Sequence, residues 1–199
     1  MLGMSVEHDQ PGGDRIKIWF RFVPRDGWLP HDTEGLWATR LTPDTARIDN
    51  VPFLQDGVAQ DDVVAFRTGS DGRHWATGRV TASGHCVVRV IAVPGGPLGR
   101  AETGGPAPIG RAASGGSATF GRAASGGSAP AGGPAAAVHG AFVRFGLGGE
   151  VFSSEFPLVA FDVPADADLG GIKRQLDEGA EQGWWHYEVG CGTDAWWSA

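Results

Sequence analysis

Gly84-His85-Cys86-Val87-Val88-Arg89-Val90-Ile91-Ala92-Val93 is the most apolar and most β-prone run in the chain. On an extended backbone Val88, Val90 and Ala92 share one face, and Val87, Arg89 and Ile91 share the other. Apolar side chains on both faces mark a central strand, because an edge strand alternates apolar with polar. The run is therefore expected to be the seam between a β-rich N-terminal half and an α/β C-terminal half.

Upstream of the seam, turn signals recur at even spacing. Ile16, Ile18, Phe20 and Phe22 alternate with polar or aromatic neighbours, which predicts a strand over 16–23. Pro24-Arg25-Asp26-Gly27 is turn chemistry. Further strands are expected at 35–42, 45–51, 63–67 and 74–80, divided by Pro43-Asp44, Pro52 and Ser70-Asp71-Gly72-Arg73. Counting 84–93, six short strands predict a small closed or half-closed barrel over 15–93, behind a flexible tail at 1–14.

Downstream, residues 94–134 are Gly, Ala, Ser or Pro at nearly every position, and Gly110–Ser117 recurs as Gly121–Ser128. Such a composition buries too little apolar surface to offset its ordering entropy, so a disordered insert with a tandem repeat is expected. A phosphate cradle is disfavoured, since no strand leads into a Walker-type or dinucleotide fingerprint. Val138, Phe142 and Phe145 at helical spacing predict a helix over 135–147. A short strand opens at Val151-Phe152, and a longer one covers 158–164. A helix over 169–181 is capped by Asp166 or Asp168 and carries the stripe Ile172, Leu176 and Ala180. A last strand covers 184–189, and 192–199 is read as a tail. Joined to strand 84–93, residues 135–191 give the order β–α–β–β–α–β, the split βαβ, ferredoxin-like pattern. The expected fold class is α+β, a small N-terminal β-barrel continuous with a ferredoxin-like C-terminal half.

The 199 residues carry a net charge of −7. That balance disfavours nucleic acid, which needs a basic face, and suggests a basic protein partner. The two cysteines, Cys86 and Cys191, lie far apart, and no clustered Cys/His spacing is present, so neither metal nor cofactor is expected. No charged start followed by an apolar run marks a signal peptide, and no apolar stretch reaches membrane length. A cytoplasmic setting with reduced thiols is the expectation.

Glu34-Gly35-Leu36-Trp37-Ala38, Asp49-Asn50-Val51-Pro52-Phe53, Asp62-Val63-Val64, Gly84-His85-Cys86-Val87-Val88-Arg89-Val90, Asp162-Val163-Pro164 and Trp185-His186-Tyr187-Glu188-Val189-Gly190-Cys191 carry a resemblance. In order and spacing they resemble a bacterial family of domains of unknown function, number forty-two sixty-five, over about Ile16 to Cys191 without the insert. The resemblance brings no activity. Where the family has a Gly-His-Ser-Thr-like string, this chain has Gly84-His85-Cys86-Val87, so hydroxyls that a shared mechanism would use are missing.

Among polar residues, His85, Asp49 and Glu34 are the catalytic candidates, for an enzyme site at the barrel–sheet junction. The plainer reading makes His85 a hydrogen-bonded strand end, Asp49 a turn residue, and Glu34 the partner of Arg40, Arg47 or Arg89. Ser83 and His85 face one side of the strand and Cys86 the other, which separates Cys86 from His85 as a nucleophile pair. Cys86 is expected to be a small buried residue and Cys191 to be exposed. Asp56, Asp61 and Asp62 match no calcium-loop spacing. The binding candidates are Trp37, Asn50, Arg89 and the tail pair Trp196 and Trp197, since tryptophan is favoured at interface hot spots. With no catalytic constellation, the leading expectation is a non-enzymatic interaction protein, of accessory or immunity type. The alternative is a small-molecule enzyme.

Overall fold

The computed structural model describes residues 14–24, 31–98 and 133–199. Residues 1–13 of the expected tail 1–14, the turn residues 25–27 and residues 99–132 of the expected insert 94–134 lie outside the described residues. The chain divides into two compact units, Met1–Ser83 and Gly84–Ala199.

In the first unit, β1 (Arg15–Arg21), β2 (Thr33–Arg40), β3 (Thr45–Ile48), β4 (Val63–Thr68) and β5 (His74–Thr81) close a barrel in sequence order. Successive strands run antiparallel. Five is an odd number, so the closing pair β1/β5 is parallel, with Ile18 opposite His74 and Trp19 opposite Trp75. Period-two alternation fills the inside with Ile18, Phe20, Leu36, Ala38, Ala46, Ile48, Val64 and Phe66. Each large apolar side chain buried this way contributes about 1.5–3 kcal/mol relative to exposure.

Carboxylates order the irregular stretches of this unit. Glu34 accepts from the successive backbone N–H groups of Phe53, Leu54 and Gln55 at 2.8, 3.0 and 2.7 Å, fixing the loop after β3. Asp62, 1 % exposed, accepts from the N–H groups of Ala59 and Ser83 at 2.9 and 2.7 Å and pairs with Arg79 at 3.4 Å. A buried carboxylate is stable only when its lone pairs are met in this way.

The strand at the seam does not join the barrel. The barrel closes with five strands, and β6 (Cys86–Ala92) belongs to a separate sheet. The physical reason is that β1 already occupies the second edge of β5, leaving no unpaired barrel edge. Between the two strands, Gly84 turns the chain at φ 88°, a conformation glycine adopts without strain.

In the second unit, β7 (Gly148–Val151), β8 (Leu158–Val163), β6 and β9 (Trp185–Cys191) form a four-stranded sheet in that order, with every pair antiparallel. β6 is central, as its apolar faces predict, and all but Ile91 is buried. Helices α1 (Pro134–Phe142) and α2 (Leu169–Glu181) contribute Val138, Phe142, Ile172 and Leu176 to a core with Val88, Val90, Phe161 and Trp185. α1 begins on Pro134 and ends earlier than expected, passing into a 3-10 turn at Val143–Phe145 that stops on Gly146 at φ 70°. Asp168 caps α2 by accepting from the N–H of Gly171 at 2.9 Å. Near its end Gly179 lies against the Trp185 indole, whose Nε1 donates to the Leu176 carbonyl at 2.9 Å. No helix among the described residues is long and apolar enough to cross a membrane.

The expected tail is ordered. Residues Asp194–Ser198 form α3, capped by the Thr193 hydroxyl, which accepts from the N–H of Trp196 at 3.2 Å. Lys173 Nζ donates to the carbonyls of Trp196 and Ala199 at 3.1 and 2.6 Å. Cys191, expected to be exposed, is buried in β9, because the last strand runs two residues further than its apolar pattern suggests. Cys86 is buried as well, and neither cysteine is in a disulfide.

Candidate functional site

The outward face of the barrel gathers the side chains that alternation turns away from the core. On β1 these are Arg15, Lys17, Trp19 and Arg21. Register sets Lys17 opposite Trp37 of β2 and Trp19 opposite Trp75 of β5. The result is a ladder in which cations and indoles interleave. Arg15 lies 4.6 Å from the Trp37 ring centre, and Lys17 lies 5.1 Å from Trp37 and 5.4 Å from Trp19. Arg73 lies 4.6 Å from Trp19, and Arg21 lies 4.1 Å from Trp75. Trp19 and Trp75 stand 6.3 Å apart, tilted by 49°. Such contacts hold flexible cationic stems flat on the sheet. Gly35 permits this, since a side-chain carbon there would meet Lys17 Cδ and Cε at 3.1 Å and the Trp19 ring at 3.2 Å.

Among the described residues no carboxylate comes within ion-pair distance of Arg15, Lys17, Arg21 or Arg73. Asp71 stands at the margin, in the turn before β5. It accepts from the backbone N–H of Arg73 at 3.1 Å, and that bond is the first cause of its lowered pKa. Although the chain as a whole is acidic, this face is locally cationic.

Trp37, a binding candidate from sequence, thus stands in the ladder. Asn50 supports it from behind, its Oδ1 accepting from the Trp37 backbone N–H at 2.8 Å. Asp49 accepts from the Thr39 hydroxyl at 3.0 Å and lies 3.9 Å from Arg47. Thr39 is on the opposite face of β2 from Glu34, so the structure does not bring the two carboxylates together on that strand. At the start of β5, Arg40 Nη2 lies 3.2 Å from His74 Nε2. A guanidinium only donates, so Nε2 accepts and Nδ1–H faces the Thr68 hydroxyl at 2.8 Å. Burial first, and then the Arg40 charge, hold the His74 pKa below its ordinary value.

The second unit holds a polar cluster on the sheet. His85 Nδ1 lies 2.9 and 3.0 Å from the two oxygens of Asp162, which stands on β8 opposite Val87. That geometry puts a proton on Nδ1 and aims Nε2 away from the carboxylate. Arg89, 2 % exposed, donates from Nη1 to Glu188 at 2.8 Å, and its guanidinium lies over Gly190, where a side-chain carbon would come within 2.6 Å of Cζ. Cys86 Sγ lies 3.4 Å from the Thr193 hydroxyl. On β9, the Tyr187 hydroxyl bonds Asp177, and burial together with that bond pushes its pKa up to about 12.

The two C-terminal tryptophans separate. Trp196 is 2 % exposed and belongs to the core, which corrects the expectation that both lie outside it, while Trp197 is 64 % exposed. The capped turn of α3 explains the difference, since adjacent helical residues point about 100° apart.

Sequence reasoning missed the ladder. Arg15, Lys17, Trp19 and Arg21 are alternate residues of a strand whose other face was used to recognise it, so the signal was in plain view. Its completion by Trp37, Arg73 and Trp75 depends on strand register, which pattern alone does not supply.

A family model described as a domain of unknown function (DUF4265) matches residues 34–187, from β2 into β9. No curated protein matches the chain. Among solved structures the chain is similar to a hypothetical protein from Neisseria gonorrhoeae. The two share 12 % identity, with 90 % of this chain and 96 % of that one covered and a TM-score of 0.58. At that identity the likeness concerns the fold alone.

Proposed function

The chain belongs to the DUF4265 family, and from its geometry we propose that it is a non-enzymatic binding protein that takes an anionic partner on the outer face of its barrel. The observation that carries this reading is the interleaved ladder of Arg15, Trp37, Lys17, Trp19, Arg73, Trp75 and Arg21. Exposed cations with no ion pair among the described residues, and only Asp71 near Arg73, attract anions, and indoles add contact area at low entropic cost. The whole-chain charge argued for a basic partner; the local charge argues for an acidic one. A cytoplasmic setting, with Cys86 and Cys191 kept as thiols, is consistent with this role. The strand order of the second unit, with a helix in each crossover, supports reading it as a split βαβ scaffold.

The test is salt-dependent retention of the full chain on immobilised heparin, beside the double variant Arg21→Glu/Arg73→Glu. Retention that weakens with salt and disappears in the variant supports the reading. Equal retention of both proteins would sink it.

A second reading, a small-molecule enzyme, rests on the His85–Asp162 pair, because a carboxylate on Nδ1 orients an imidazole as a base. Glu34 and Asp49 are already engaged in backbone and threonine hydrogen bonds, so this enzyme would use His85 and Asp162 instead of the original trio. Turnover of a screened substrate that His85→Ala abolishes and Arg21→Glu/Arg73→Glu leaves intact would favour it.

A further inference from the structure

Resting on the barrel-face reading, we propose that the anionic partner is single-stranded nucleic acid. An acidic protein segment would satisfy the cations and leave the indoles idle. A single strand presents both of the chemistries that the ladder interleaves, flat aromatic bases and phosphate charges. The spacing favours an unstacked strand over a duplex. Trp19 and Trp75 stand 6.3 Å apart, well beyond the rise of about 3.4 Å per nucleotide in a stacked helix. Two bases therefore reach the two indoles only when splayed, and a duplex hides its base faces altogether.

Each of the three indoles carries a cation over its ring, so a base stacks only as an Arg or Lys swings off, and the displaced cation then meets the backbone of the strand. Arg73 sits over Trp19 and within 6.0 Å of Trp75, between the two platforms. Arg15 and Arg21 are exposed at the two ends of the β1 row. Arg67, opposite Trp75 on β4, extends the row by one strand. Gly35 keeps the floor between Trp37 and Trp19 level, so a strand crossing β2, β1 and β5 meets no side chain rising from β2 at that point. The acidic balance of the whole chain, −7, lowers overall affinity without changing the sign of this face.

The experiment is a titration of the intrinsic tryptophan fluorescence of the full chain at low salt. The probes are oligothymidylate of about 12 nucleotides, a duplex of equal length, inorganic polyphosphate and heparin. Oligothymidylate is expected to quench the emission and to bind more tightly than the duplex. Its log affinity should fall with log salt at a slope of about −0.7 per phosphate neutralised. Arg21→Glu/Arg73→Glu should weaken binding about tenfold or more, and Trp19→Leu should remove most of the quench. Gly35→Val, which keeps the charge count while pressing on Lys17 and the Trp19 ring, should lower oligothymidylate affinity more than polyphosphate affinity. If polyphosphate and heparin bind and oligothymidylate binds no more tightly than they do, the nucleic-acid inference is overturned and the anionic-face reading survives. If no probe binds, or the double variant binds all of them equally, both fall.

Discussion

The two units dispose of their cations in opposite ways. On the barrel, Arg15, Lys17, Arg21 and Arg73 lie flat on indoles at the surface. In the sheet unit, Arg89 is sunk to 2 % exposure and tied to Glu188 at 2.8 Å. An exposed cation keeps most of its hydration and costs little to hold, so it remains available to a ligand. A buried one survives only with its partner, and its loss strands that partner. The same contrast separates Trp196 from Trp197, neighbours in sequence with opposite exposures. Residue type alone does not say whether a group supports the architecture or meets the solvent; its depth does.

The sharpest way to break this contrast is the tryptophan pair. Trp196→Ala should cost about 3–5 kcal/mol of stability in urea unfolding, while Trp197→Ala should stay within about 0.5 kcal/mol. Equal effects would erase the distinction. Next comes the arginine pair. Arg89→Met should cost about 3 kcal/mol, near the low end for a buried pair because Glu188 is itself 22 % exposed on its side chain. Arg73→Ala should cost under about 1 kcal/mol, the scale of an exposed cation–π contact. A smaller effect sharpens the packing side of the argument. Gly179→Ala places a methyl against the Trp185 indole, and overpacking of this kind costs about 1–3 kcal/mol. Loss of the near-ultraviolet signal of Trp185 would accompany it.

The smallest effect concerns pH and the barrel. The folded-state pKa of His74 is held below the ordinary 6.5, first by burial and then by Arg40. Between its unfolded and folded values the unfolded chain therefore binds more protons. The His74 contribution is present above about pH 6.5 and is lost as pH falls through the folded value. His74→Phe should flatten the fall in stability between about pH 7 and pH 5 relative to the parent chain. An unchanged slope would remove His74 as its source.

Much of the fold was legible because period-two alternation is a strong signal in strands with one buried face. Ile16, Ile18 and Phe20 announced β1, and the doubly apolar Val87–Val90 announced a central strand. What pattern could not say was which strand pairs with which. Whether β6 closes the barrel depends on whether β5 still has a free edge, and that depends on β1 reaching it from some fifty residues away. β9 runs through Gly190 because packing overrides that glycine's local signal, while α1 passes through Gly140 and its following turn stops on Gly146. The site divides along similar lines. Trp37, Asn50, Arg89 and His85 stood out as single residues, yet their partners Lys17, Trp37, Glu188 and Asp162 come from other strands or from distant sequence. Trp196 was misplaced because 192–199 was read as a tail, and the Thr193 cap and the Lys173 clamp that order it come from side-chain contacts that pattern does not show.

The barrel's closing pair, β1 against β5, is registered over only Ile18–His74 and Trp19–Trp75. A seam this short is where the cylinder would breathe, and its amide protons should exchange with deuterium sooner than those of the seven-residue β1–β2 pairing. Trp19, Trp75 and Arg73 straddle that seam from outside. Anything that settles across them acts as a latch on the barrel, so occupancy would be recorded as slowed deuterium uptake at Ile18 and Trp75, even from a ligand too weak to isolate.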